Sequence, residues 1–256
     1  MPAPHPRMHS RSHAHGGPDP VGISWEDTGS SSGGSGGSID ATFHDTADDP
    51  FSQARWALNT FQIRNAQLDA GDATAWSQPP TATYTDTVAV TATGELVYAF
   101  LLKDYIRGLT SLAPFTDLYN QQVPNLVSGG QLFAARASGQ GSGTVTYQAT
   151  IPAADVGNQK TQSILVGLKG SGGTPSQLSL KTTFVDSNPH ATAALPSPAS
   201  LLSGDLLLLQ IAERNGNAAP VLVAPAGWTL VAASPSRTVD TLAGVLDQWI
   251  YRYTVA

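Results

Sequence analysis

From residue 39 onward the chain is written in short apolar runs, each about the length of a strand and bounded by Gly, Pro, Ser or Asn. In GTVTYQATIP (143–152) apolar and polar positions alternate, with Val145, Tyr147 and Ala149 on one face and Thr on the other. TGELVYAFLL (93–102), TQSILVGLKG (161–170) and SGDLLLLQIA (203–212) are instead continuous apolar runs, the pattern of a strand with both faces buried. Helical periodicity is nearly absent, and only Pro50–Leu58 and Pro114–Gln122 offer room for a turn or two of helix. The pattern predicts an all-β protein of sandwich type, jelly-roll or Ig-like.

Two stretches repeat the same order of features. TGELVYAFLL, LAPFTDLY (112–119) and GGQLFAARA (129–137) are matched by SGDLLLLQIA, APAGWTLVAA (224–233) and LDQWIYRYTVA (246–256). Each set runs Gly-acid-apolar strand, Pro-containing turn, aromatic residue and apolar strand, then an aromatic strand carrying Arg. The offset of about 110 residues is that of duplicated structural units. The first unit continues through 143–152 and 161–170, whereas no such strands follow the second, which would leave edges and an apolar face uncovered. Residues 38–65 have the rhythm of 143–170, with Ala41 and Phe43 in one strand and Trp56, Leu58, Phe61 and Ile63 in the next. Residues 39–64 are expected to complete the second unit, either within the chain as a circular permutation or between chains as a strand exchange. The alternative is that the sequence is a fragment of a longer protein. The expected organisation is an extended arm and linker over 1–38, completing strands over 39–66, a first sandwich over 67–173 and a second over 174–256.

Charged residues make up 12%, well below the usual share of about a quarter, and 25 Gly and 18 Pro suit a surface of turns. A net charge of −6 with no Lys/Arg cluster argues against a nucleic-acid partner. The absence of cysteine excludes disulfides, thiolate metal sites and Cys nucleophiles. Met1–Gly17 has no apolar core, so no signal peptide is expected. Leu201–Ala212 is too short to span a bilayer, which takes about 20 residues. No membrane span is expected, and assembly in a host cytoplasm fits these features.

The motif GDLLLLQIA…APAGWTLV…QWIYRYTVA resembles a β-sandwich unit of phage structural proteins and bacterial surface proteins, over roughly 75–256. The first copy is degenerate, with Pro114-Phe115-Thr116 in place of Pro225-Ala226-Gly227-Trp228-Thr229. The leader HSRSHAHGGPDPVGISWEDTG is similar to those of minor tail and tail-fibre proteins of long-tailed phages, especially of actinobacterial hosts. That resemblance implies a place in the virion tail, often as a homotrimer beside other tail proteins, and no chemistry.

His13 and His15 point the same way in an extended strand. Around a trimer axis they would offer six imidazoles to a transition metal such as Fe or Zn, an arrangement that the resemblance to phage fibres and spikes supports. The competing view is a solvated His-rich leader that also holds His5 and His9. Gly33-Gly34-Ser35-Gly36-Gly37 matches a nucleophile elbow in letters only, because it lacks the flanking strand and helix. Asp45, Asp48 and Asp49 read as a solvated acidic turn rather than a calcium site, and Asp155 occupies the corresponding turn of the first unit. Trp228, Trp249 and Tyr251 form either a platform for a host surface glycan or part of the core, and core is the commoner fate of such residues. Trp249, Tyr251 and Tyr253 share one face of their strand, Ile250 and Arg252 the other.

With no nucleophile–base pair, phosphate loop or strong metal motif, the expectation is a non-enzymatic minor tail protein at the tail tip or fibre base. The alternatives are a carbohydrate-binding or adhesion module and a capsid decoration or head-fibre protein.

Overall fold

The computed structural model describes residues 25–27, 39–43, 55–77, 82–103, 109–122, 131–153, 161–185, 193–195, 200–215, 222, 226–233, 238–240 and 244–256. The described residues are nearly all β, in antiparallel sheets. One five-stranded sheet has the order β4 (Ala66–Ser77), β11 (Thr161–Gly170), β6 (Glu95–Lys103), β9 (Gln131–Gln140), β8 (Thr116–Gln122). A three-stranded sheet of β5 (Thr83–Val90), β10 (Gly143–Thr150) and β7 (Thr110–Ser111) packs on one of its faces. The other large sheet runs β12 (Ser176–Val185), β3 (Arg55–Arg64), β14 (Leu206–Asn215), β17 (Gly244–Thr254), β15 (Thr229–Ala233), with β16 (Thr238–Asp240) also on β17. The last sheet joins β1 (Trp25–Asp27), β2 (Ile39–Phe43) and β13 (Ala193–Leu195).

Burial explains the two kinds of strand. β5 alternates buried and exposed residues because only one of its faces is covered. β6 is buried at every position. Its Val97, Ala99 and Leu101 meet Tyr84, Val88, Val145 and Tyr147 of the small sheet. Its Leu96, Tyr98 and Phe100 meet Phe61, Ile63, Leu206, Leu208 and Ile250 of the other large sheet. The continuous apolar run is therefore two alternating faces read at once. Phe61 lies 5.4 Å from both Tyr98 and Phe100, edge to face, and those two stack at 5.5 Å. Each such side chain, fully buried, contributes about 1.5–3 kcal/mol, so the contact between the two large sheets is itself a core.

The two large sheets are copies. Taking β4, β11, β6, β9 and β8 as counterparts of β12, β3, β14, β17 and β15, the strand orders coincide. The registers coincide too. Tyr98 lies opposite Arg136 and Leu208 opposite Arg252, while Thr116 and Thr229 pair with those same two arginines. Even the irregularity is repeated, after Asp117 in β8 and after Leu230 in β15. In the small sheets the antiparallel pair β13-β2 matches β5-β10, while the third strands, β1 and β7, come from different places in the chain.

The copies are interlocked. β3 lies between β12 and β14 of its own chain, so residues 55–64 belong to the C-terminal sheet. β3 passes through Asn65 alone, at φ 53°, directly into β4 of the opposite sheet. β11 passes through residues 171–175 into β12, crossing the other way. The two crossovers touch, with the Ser171 N–H donating to the Asn65 carbonyl at 3.0 Å. The change of sheet thus falls at one residue between β3 and β4 and within the short turn 171–175 between β11 and β12. Two sequence expectations are corrected here. Residues 55–58 and 116–122 are strand rather than helical turn, because long-range pairing to β12, β14 and β9 decides their conformation.

Candidate functional site

The repeated Gly-acid pair opens β6 and β14, and the backbone there is the same twice. Gly94 and Gly204 hold φ of 84° and 86°, a region open to glycine at little cost. The Gly94 N–H donates to the Gln140 carbonyl and the Gly204 N–H to the Val255 carbonyl, both at 2.8 Å. The acid then closes the turn by accepting from the backbone N–H three residues earlier. Glu95 takes Ala92 at 2.6 Å and Asp205 takes Leu202 at 3.0 Å.

The surroundings of the two acids differ. Asp205 also accepts from Gln62 Nε2 at 2.7 Å and Arg64 Nε at 3.1 Å, both on β3. Burial acts to raise its carboxyl, but the Arg64 bond, the Leu202 N–H, Gln62 and the Arg64 charge outweigh that and hold it below the ordinary carboxylate range. Glu95 faces another acid, Asp69 on β4, whose side chain is 1% exposed and bonded to Lys169 Nζ at 3.0 Å and to Thr91 N at 2.7 Å. Thr91 Oγ1 donates to it as well. Burial pushes Glu95 up, the Ala92 N–H pulls it back, and the Asp69 charge pushes it further up, leaving it above the ordinary range. Burial would also raise Asp69, but its bonds from Thr91 and Lys169 prevail and hold it at about 2.

Two further polar groups lie inside. Between the large sheets, Gln210 Nε2 donates to Gln248 Oε1 at 2.7 Å and to the Phe133 carbonyl at 3.3 Å, and Gln248 Nε2 donates to the Phe100 carbonyl at 3.4 Å. The Tyr119 hydroxyl bonds to Gln210. The Gln210–Gln248 bond ties β14 to β17 within one sheet, and the bonds to Phe133, Phe100 and Tyr119 cross to the other copy and fix how the two sheets sit, since a slip would strand buried amides. Inside the first sandwich, Tyr84 Oη and Ser163 Oγ are 2.7 Å apart, and Ser163 donates to Asp86. Burial raises the Tyr84 hydroxyl, the Ser163 bond pulls it back, and the Asp86 charge raises it further. Tyr84, Ser163 and Asp86 are all buried, so the trio braces β5 against β11.

Trp228, Trp249 and Tyr251 are 7%, 9% and 3% exposed and pack with Leu58, Leu207, Leu209 and Ile211. Their rings are thus packed within this cluster of the core. Burial alone raises the Tyr251 hydroxyl to about 12. His13, His15, the 33–37 Gly/Ser run, Asp45, Asp48, Asp49 and Asp155 lie outside the described residues. Among the described residues no three His, Asp or Glu side chains gather as metal ligands. No helix among them is long and apolar enough to cross a membrane. Sequence inspection did not find Asp69 and Lys169. The repeated Gly-acid pair was the only pointer, because the partners are set by strand pairing rather than by spacing. Comparison with family models, with curated proteins and with solved structures finds no match for this chain.

Proposed function

We propose that this chain is a structural protein of a tailed-phage particle, a minor tail protein at the tail tip or fibre base. It would be assembled in the bacterial host cytoplasm and carried out in the virion as a homotrimer among other tail proteins. The observation that carries this reading is the duplicated, interlocked pair of sandwiches. Two copies share one buried core and are cross-braced by Gln210 and Gln248, the construction of a rigid block rather than of two independently moving modules. The leader's resemblance to tail and tail-fibre proteins supplies the location.

Immunogold labelling of the virus that encodes the chain tests the reading. Gold confined to the tail is the expected result, and label on the capsid shell transfers the proposal to a decoration protein. Native mass spectrometry with and without a chelator tests the trimer and the His13/His15 site. One Fe or Zn ion per three chains, lost with the chelator, is expected, and a metal-free monomer removes both.

A further inference from the structure

The turn over residues 91–95 holds a buried carboxyl with an unfilled valence. Glu95 is fully buried. Its Oε1 accepts the Ala92 N–H, while Oε2 has no hydrogen-bond partner. A charged oxygen so placed loses its hydration without a partner in return, so an ionised Glu95 is a poor fit to its surroundings. The groups that face it narrow the choice of occupant. On β4 stands Asp69, whose carboxylate is already anchored by Thr91 and by the Lys169 ammonium of β11. Thr91, at the end of β5, and Gln140, the register partner of Glu95 on β9, are neutral. The adjacent Thr91 and Ala92 N–H groups donate to Asp69 and to Glu95, which makes the two carboxyls neighbours. Neighbouring carboxyls cannot both be acceptors toward each other, so a proton between them relieves the repulsion, while the Lys169 ammonium is bound to Asp69 Oδ1.

We infer that Glu95 is a protonated acid whose Oε2 donates to the Asp69 carboxylate, so that a shared proton latches the turn before β6. The arrangement is a carboxylic acid–carboxylate pair in which Asp69 carries the charge and Glu95 carries the proton. Its counterpart in the second copy has no such device, since Asp205 is met by Arg64 and Gln62 and stays ionised. The first copy therefore carries a turn that tightens with protons and loosens without them. Raised in the fold, the Glu95 carboxyl contributes stability that is complete below its unfolded value of about 4.3 and is lost as pH rises through its folded value.

Carbon-13 NMR of the glutamate side-chain carboxyls in the full chain reads this directly. Glu95 is expected to titrate above the ordinary carboxylate range, and Asp69→Asn to move that midpoint down. The thermal midpoint of the wild type should fall as pH rises through the same titration. Glu95→Gln, a neutral mimic of the protonated acid, should flatten that limb, whereas Glu95→Ala should lower stability at every pH. A Glu95 carboxyl titrating at or below the ordinary range would overturn the latch. So would a thermal midpoint raised by calcium at neutral pH and returned by chelator, because a cation would then hold the place assigned to the proton.

Discussion

The turns before β6 and β14 have one backbone and two electrostatic solutions. Both place glycine at φ near +85° and both close with an acid bonded to the N–H three residues back. The second surrounds its acid with Arg64 and Gln62. The first sets Glu95 against Asp69 and answers Asp69 with Lys169 and Thr91. What the duplication has kept is the part that backbone sterics demand, and what has drifted is the part that only needs total charge and hydrogen bonds to balance. A buried acid is satisfied equally by a guanidinium or by a proton, but the two answers respond to pH in opposite directions.

The largest effect expected is at Asp205. Replacing it by Ala leaves the Leu202 N–H without its acceptor and Gln62 with only the Ser200 carbonyl at 3.4 Å, and should cost about 2–4 kcal/mol in urea unfolding. The part due to Arg64 is small because that side chain is 37% exposed. An Asp205→Ala variant within about 0.5 kcal/mol of wild type would show that the turn needs only its glycine. The next contrast is between glycines. At Gly227, φ is +83° and a Cβ would stand 2.5 Å from the Tyr253 ring, which packs 5.5 Å from Trp228. At Gly94, φ is +84° and the space is open. Gly227→Ala should cost about 2–3 kcal/mol and Gly94→Ala about 1–2 kcal/mol, and equal losses in thermal melts would mean that the Tyr253 ring yields freely.

The acid limb separates the two copies further. Asp205 and Asp69 are both held low, so each contributes stability that is present above its unfolded value and lost as pH falls through its folded one. The thermal midpoint should drop on acidification toward pH 2, and Asp205→Asn should shrink that drop while leaving the limb assigned to Glu95 unchanged. The smallest effect concerns the cations. Arg64→Met and Lys169→Met remove side chains that are 37% and 35% exposed, and each should cost only about 0.5–1 kcal/mol. Lys169→Met should also move the Asp69 carboxyl up toward its ordinary range, read by carbon-13 NMR of the aspartate side-chain carboxyls.

Much of the fold was legible as pattern. The continuous run at 95–103 and the alternation at 143–150 spell out two-sided and one-sided burial. The repeated Gly-acid-apolar strand marks two copies of one turn. Pairing was less legible. Nothing local in SQLSLKTTFV says that β12 joins the opposite sheet, because that follows from the crossover at 171–175. The strand at 116–122 was obscured by Pro114 and a polar composition, and its conformation comes from β9. Trp228 stands just after a turn, a position equally suited to solvent or to core, and only the packing of Leu58 and Leu209 decides between them. The partners of Glu95 were invisible for the same reason. Asp69 and Lys169 sit far away along the chain and meet it only once β4 and β11 are paired.

The crossover at Asn65 also sets a timetable. β3 is made early, yet it belongs beside β14, and Gln62 is separated by 143 residues from the Asp205 it must bond. At ribosomal rates that wait is on the order of ten seconds, during which Phe61 and Ile63 have no permanent home. The first sandwich can pair β4, β11, β6 and β9 in the meantime, and its outer face, bearing Tyr98 and Phe100, offers a nascent β3 apolar shelter. β14 and then β17 add to a β3 already in place, so this step of folding ties together parts of the chain made far apart in time.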